Sequence, residues 1–315
     1  MTVHSGGYLA LDTSCYTTSL AVVSGGKVVH DSRIMLEVPT GGRGLRQSEA
    51  VFAHVRNLKQ LFLDYSKNGY TIRAIAYSEK PCPKQDSYMP VFTVGESTAV
   101  ALASTLHVPT YPLTHQHGHI YAAHFGNDIT DGQYCAMHVS GGTLELLRVI
   151  IQSGVVVGIE TIGGTRDITC GQLIDRVGVA AGLPFPSGVA MERAYRPGGA
   201  KLSVNVDGLH TNLSGAETQA LRMLEEGRDK TQVFSGVIDC VAQTLKKLTE
   251  NAEKQTDLQK FIFTGGVICN TIVREQIARS CAAQNAAAIF AQKQYCSDNA
   301  CGLALAAQIN HIKEK

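Results

Sequence analysis

The segment Thr114-His-Gln-His-Gly-His119, just after Pro112, is where this sequence gathers residues able to hold a metal. His115 and His119 are four apart, so on a helix their rings project from one face within reach of a single ion, while His117 points to roughly the opposite side. Two imidazoles suit iron, zinc or nickel, and a carboxylate from elsewhere would complete a site with open positions. The bland alternative is a solvated helix start rich in histidine. Gln116 stands where a zincin carries its glutamate, so a metalloprotease motif is excluded.

Two Gly-Gly pairs follow strand-like runs, at Ser140-Gly141-Gly142 and at Thr264-Gly265-Gly266. Glycine lets the backbone approach a ligand and exposes amide hydrogens, so such turns can cradle phosphate. A tight hairpin explains Gly141-Gly142 equally well, whereas Gly265-Gly266 is expected to open a helix. The run Gly171-Gln-Leu-Ile-Asp175-Arg sets an acid among apolar residues, and Pro184-Phe-Pro-Ser-Gly188 ends the helix carrying it. A lone Asp on a helix is otherwise a solvated charge.

These residues need a scaffold, and the sequence supplies it twice. Tyr8–Ser14 running into Ser19–Val23, and Cys135–Gly142 running into Leu144–Ile150, each read as strand, polar turn, strand. A third strand follows each pair, at Lys27–His30 and Val155–Ile159, and helical patterns come next. Val51, Phe52, Val55, Leu58 and Phe62 repeat at helical spacing, Ile72–Tyr77 reads as a strand, and Val91–Leu106 as a helix. In the second half, Val233, Phe234, Val237, Ile238, Val241, Leu245 and Leu248 stripe a long helix. Strands alternating with helices predict an α/β architecture with a duplicated lobe. The stretch from about Arg196 to Ala216, rich in Gly, Ser and Asn, reads as an irregular excursion.

A chain of 315 residues suggests two domains, at about 100–200 residues each. With 44% apolar and 17% charged residues the composition excludes disordered, collagen-like and coiled-coil classes. No apolar run approaches the roughly 18–20 residues that cross a bilayer, so a cytoplasmic location is expected. Nine cysteines without a Cys-x-x-Cys pair predict reduced, mostly buried thiols. A net charge of +1 leaves any contact with RNA local or shared with a partner.

Asp12-Thr-Ser-Cys15, His115-x-x-x-His119, Val139-Ser-Gly-Gly142, the Gly171–Gly188 segment, Asn212-Leu-Ser-Gly215, Gly265-Gly-Val-x-x-Asn270 and Cys296-Ser-Asp-Asn299 stand in the order and approximate spacing of one family. The chain resembles the Gcp-like, or TsaD-type, family, the threonylcarbamoyl-transferring subunit of the enzyme that modifies adenosine 37 of tRNA. The resemblance implies an actin-like fold, shared with sugar kinases and chaperone-type ATPases, whose active site lies in the cleft between lobes. It implies an N-terminal lobe over 1–112, a C-terminal lobe over 113–296, and a helix over 297–315 completing the cleft and packing back on the first lobe. It also implies one divalent metal ion, iron or else zinc, on His115, His119 and Asp298. His138, Val139, Ser140, Gly141, Gly142, Asp175, Gly188 and Asn270 are then expected to serve threonylcarbamoyl-AMP or an adenine nucleotide. The implied partners are tRNA, a small actin-like dimerising partner and an ATPase subunit.

Departures from the family pattern are part of the reading. Tyr16 and Thr17 replace an acidic pair, Glu79-Lys-Pro-Cys-Pro-Lys-Gln replaces a Gly-Pro-Gly loop, and Thr143 replaces a histidine. Glu217 stands for a lysine, and a doubled acid is reduced to Asp167 and Ile168. Such changes fit a divergent paralogue, either a nucleotide- and metal-binding partner subunit or a transferase with another acceptor. Retention of all three implied ligands favours the acyltransferase.

Overall fold

The computed structural model describes residues 6–14, 16–37, 45–67 and 69–315; Cys15 of the first motif lies outside them. The chain divides into two compact units, one reaching Thr130 and including Gln152–Val156 and Asp298–Lys315, the other comprising Asp131–Ile151 and Val157–Ser297. The sequence reading drew its first boundary after residue 112; the observed division leaves the His-rich helix, and also the C-terminal helix, in the first unit.

The first unit is built on β1 (Gly7–Ser14), β2 (Thr17–Ser24), β3 (Lys27–Met35), β4 (Ile72–Lys80) and β5 (Thr110–Thr114), in the order β3-β2-β1-β4-β5. β1 to β3 form an antiparallel meander, and β4 and β5 add in parallel on the other side of β1. All eight residues of β1 are buried, as expected for a central strand covered on both faces. Helices α1 (Gln47–Tyr65), α2 (Phe92–Leu106) and α3 (His115–Ala122) follow the strands.

The second unit repeats the plan with β6 (Gly132–Val139), β7 (Leu144–Gln152), β8 (Val155–Thr165), β11 (Lys260–Thr264) and β12 (Ala287–Phe290), ordered β12-β11-β6-β7-β8. Matching β6 to β1 makes the two orders the same, so the duplication read in the sequence holds at the level of topology. The excursion is more regular than expected: β9 (Asn205–Asp207) and β10 (His210–Asn212) form a hairpin turning at Gly208, and β10 extends the sheet parallel to β8. Gly208 sits at φ 57°, a left-handed conformation glycine adopts without strain.

Helices α4 (Cys170–Ala180), α5 (Gly188–Ala194), α6 (Ser214–Glu225), α7 (Lys230–Thr256), α8 (Thr271–Ala283) and α9 (Lys293–Cys296) complete this unit, and α10 (Cys301–Lys313) belongs to the first. The predicted stripe on α7 is buried from Val233 to Leu248. On α1 the stripe is rotated: Ala50, His54, Leu58 and Leu61 face inward while Phe52 and Val55 are exposed. Among the described residues no helix is long and apolar enough to cross a membrane.

Candidate functional site

In the first unit, β5 ends at Thr114, which caps α3. Thr114 Oγ1 accepts from the His117 backbone, and His117 Nδ1 lies 2.7 Å from that hydroxyl and accepts from the Thr114 amide, closing a capping box. Both bonds need an unprotonated Nδ1, and burial pushes the His117 imidazole down to about 4. His117 thus serves the helix end, leaving His115 and His119 on the other face.

Asp298 reaches these rings from the turn between α9 and α10. Helix α10 lies directly on α3, because Gly302 lacks a Cβ that would run into the Gly118 carbonyl. Asn299 Oδ1 accepts from Cys301 N at 2.9 Å, fixing the start of α10 beside Asp298. His115 Nε2 and His119 Nε2 are 3.0 Å apart, and Asp298 Oδ1 stands 3.5 Å from each. Donors about 2.0–2.1 Å from one ion are separated by about 3.0–3.4 Å at octahedral to tetrahedral angles, so this triangle fits a single metal ion.

The surroundings aim these donors. Asp12, buried on β1, takes the His115 Nδ1–H at 2.8 Å on one oxygen and the Ser78 hydroxyl at 2.6 Å on the other. That fixes the tautomer with Nε2 turned to the site, the usual carboxylate–histidine support of a metal ligand. Ser14 Oγ donates to Asp298 Oδ2 at 3.4 Å. Without a cation, burial works against charge on His115, but Asp12 and Asp298 at its two nitrogens override it and raise its pKa well above the ordinary value. Burial and the neighbouring His115 lower His119. Burial alone would raise Asp298, yet the two imidazoles hold it well below the usual carboxylate range. Two carboxylates and two imidazoles at this spacing attract positive charge.

In the second unit the Ser140–Thr143 turn joins β6 to β7, with Gly141 and Gly142 exposed. Ser140 Oγ accepts from the amides of Gly142 and Thr143 at 3.3 and 3.1 Å. The turn rests on the start of α4: Thr169 Oγ1 donates to Gly141 O at 2.8 Å, and a Cβ at Gly171 would stand 2.6 Å from Ser140 O. His138 and Val139 are the buried last residues of β6. Gly265, at φ 100°, lies against Val139, but the pair Gly265-Gly266 opens a 3₁₀ turn, Gly266–Cys269, rather than the helix expected. Helix α8 begins after it with Asn270 as cap, its Oδ1 accepting from Val273 N at 3.0 Å.

Asp175 on α4 is half-buried, and its Oδ1 accepts from Ser187 N at 2.7 Å, just before Gly188 opens α5. Burial raises its pKa against that bond. Each polar side chain expected at a ligand therefore already holds backbone in this unit.

Sequence reasoning gave no role to Asp12, His54 or Glu192. Asp12 is an acid inside an apolar strand, a signal in itself because an unpaired buried charge is costly. His54 is fully buried under β2, with Nδ1 2.8 Å from Thr18 Oγ1, and burial lowers it to about 4; its place in the α1 stripe hid it. Glu192 on α5 accepts from Thr271 N at 2.8 Å, at the start of α8, which only tertiary structure reveals.

Known proteins match this frame. The chain is 27% identical over 95% of its length to the tRNA N6-adenosine threonylcarbamoyltransferase of Staphylococcus aureus strain JH9, covering 89% of that protein. Among solved structures, component A of the Acidaminococcus fermentans (R)-2-hydroxyglutaryl-CoA dehydratase superposes with a TM-score of 0.58 at 12% identity, covering 98% of both chains. Full-length HypF, in a phosphate- and nucleotide-bound form, gives 0.59 at 10% identity over 99% of this chain, which spans 56% of that protein. These likenesses identify the α/β architecture as actin-like. The family model described as TsaD: tRNA N6-adenosine threonylcarbamoyltransferase matches residues 48–305, and the chain belongs to that family of acyltransferases.

Proposed function

We propose that this chain transfers the threonylcarbamoyl group of threonylcarbamoyl-AMP to N6 of adenosine 37 in tRNA, as a cytoplasmic enzyme holding one divalent metal ion, Fe2+ or Zn2+. The observation that carries this reading is the donor triangle of His115, His119 and Asp298 in a chain of this family. When bound, the ion supplies Lewis acidity toward a carbonyl oxygen of the acyl group.

The chain's own residues do the rest. Asp12 keeps a lone pair of His115 aimed inward, and Ser14 restrains the second oxygen of Asp298. Ser140 Oγ gathers two amide hydrogens that a phosphate oxygen can take over, since backbone N–H groups at such a turn are ready anion donors. Asp175 offers a carboxylate for ribose hydroxyls and Asn270 an amide for polar edges. Asp175 and Asn270 each have a hydrogen-bonding atom left after meeting the backbone. The net charge of +1 agrees with tRNA being bound together with partners, a small actin-like subunit and an ATPase.

A second reading, a paralogue with another acceptor, is favoured by Tyr16 and Thr17 in the β1–β2 turn. Neither supplies a carboxylate, so the attacking amine must lose its proton to the leaving phosphate, to water or to another group. Incubation with threonylcarbamoyl-AMP and tRNA, with and without the partner subunits, followed by nucleoside mass spectrometry, tests the main reading. Modified adenosine that disappears in His115→Ala supports it. Metal-loaded protein that modifies no tRNA under any of these conditions, but gains activity when Tyr16→Asp and Thr17→Glu are combined, favours the second.

A further inference from the structure

The 3₁₀ turn of the second unit ends on a thiol that none of the chemistry above uses. Cys269 is half-exposed, its Sγ donating to Lys293 O at 3.5 Å. Cys296, at the end of α9, is fully buried; its Sγ donates to Ala291 O at 3.3 Å and accepts from Arg274 Nη2 at 3.4 Å. The two thiols are hydrogen-bonded to one another. One sulfur is open to solvent, its neighbour is shielded, and both lie among cationic side chains.

We infer that Cys269 and Cys296 form a redox-sensitive dithiol in which a hydroperoxide oxidises Cys269 and Cys296 resolves the product to a disulfide. The Cys269 thiolate attacks the peroxide oxygen, the O–O bond breaks, and hydroxide or alkoxide leaves, giving a sulfenic acid. The Cys296 sulfur then attacks the Cys269 sulfur; its proton goes to the departing hydroxyl, the S–S bond forms and water leaves. Two thiols and one hydroperoxide yield one disulfide, one water and one alcohol, or a second water where the oxidant is hydrogen peroxide.

The environment selects this pair. Reactive cysteines are thiolates in accessible, electropositive surroundings beside a resolving thiol. The hydrogen bond to Cys296, with Arg274 and Lys293 nearby, outweighs burial and Glu192 and lowers Cys269 to about 7. Burial instead pushes Cys135 up to about 12, and Cys240 and Cys281 to about 11. The disulfide would tie the segment leading into Asn270 to the end of α9.

The test is timed oxidation of the reduced full-length protein with hydrogen peroxide at pH 7.5, quenched with iodoacetamide and mapped by non-reducing mass spectrometry. A Cys269–Cys296 cross-linked peptide, reversed by dithiothreitol, is expected. Loss of free Cys269 is expected to run about tenfold faster than loss of any other described cysteine, following thiolate fraction. Cys296→Ser accumulates a dimedone-trappable sulfenic acid on Cys269 without the cross-link. Cys269→Ser, at a half-exposed position, abolishes the cross-link in a folded protein. Cys269 that reacts no faster than the buried thiols, or that proceeds to sulfinic acid in wild type with no cross-link, overturns the inference.

Discussion

The two sheets repeat one strand order, yet the corresponding turns are chemically opposite. At β1–β2 the chain carries Asp12, Ser14 and Tyr16, with a buried carboxylate joined to His115 and a hydroxyl joined to Asp298. At β6–β7 it carries Ser140, Gly141 and Gly142, exposing backbone instead of side chains. A duplicated scaffold has thus given one copy side-chain ligands held ready for a cation and the other copy backbone amides suited to an anion. The difference extends to what each polar group does without a ligand. In the first unit His115, His119 and Asp298 turn toward each other, whereas in the second Asp175, Asn270 and Asp167 hold helix starts and loops.

The largest expected effect breaks the first copy alone. His115→Ala, His119→Ala and Asp298→Ala each remove one corner of the triangle, and metal analysis of purified protein is expected to fall from about one ion per chain to near none. His117→Ala is expected to keep its ion and lose about 1 kcal/mol of stability with the capping box. Wild-type metal content in all three ligand variants would move the site elsewhere. A smaller effect is expected one shell out: Asp12→Asn leaves a hydrogen-bond acceptor for His115 without its charge, and metal affinity should drop by about 10–100-fold in competition with a chelator.

How much of this was legible in the sequence also differs between the copies. The pair His115 and His119 was readable because helical spacing alone puts two rings on one face. Asp298 could be reached only through family resemblance, since no local pattern shows that α10 returns to α3 by way of Gly302. The strand–turn–strand repeats gave the sheets correctly, because alternation and turn residues are local signals. The β9–β10 hairpin was missed because its strands are three residues long, too short to show a period. The 3₁₀ turn was missed because Gly265-Gly266 signals a turn without specifying how many residues precede the next cap. His54 was hidden by apolar neighbours that suggested a stripe one position away.

The second copy is probed by separating ligand from scaffold. Asp175→Ala removes both the acceptor for Ser187 N and any ligand contact, so it is expected to lower the melting temperature and weaken adenine-nucleotide binding by about 1.5 kcal/mol, roughly tenfold. Asp175→Asn keeps an oxygen for Ser187 and should recover most of the melting temperature but not the affinity. Titration calorimetry beside thermal melts distinguishes the two roles. Affinity unchanged in both variants would leave Asp175 with the backbone alone.

The smallest expected effect concerns Asp167, a charge the second unit uses on its own backbone. Its carboxylate accepts from Ile168 N at 2.6 Å, Leu213 N at 2.8 Å, Ser214 N at 3.1 Å and Ser214 Oγ at 2.6 Å, tying the end of β8 to the start of α6. Partial burial alone would raise its pKa, but the Ser214 hydroxyl and these three amides together hold it well below the carboxylate range. Because the folded pKa is depressed, the stabilisation is fully present above the unfolded value of about 3.9 and is lost as pH falls below it. Asp167→Asn keeps one oxygen but turns the other acceptor into a donor facing N–H groups. It is expected to cost about 1 kcal/mol near pH 7, a figure kept small because the site is exposed to solvent and salt. Urea unfolding of both proteins across pH should show a constant gap between pH 7 and about pH 5 that narrows as the wild-type carboxyl protonates. A gap of the same size at pH 2.5 would mean that Asp167 acts through shape alone. The contrast between a copy that directs charge at a cation and one that directs it at its own amides would then have to be redrawn.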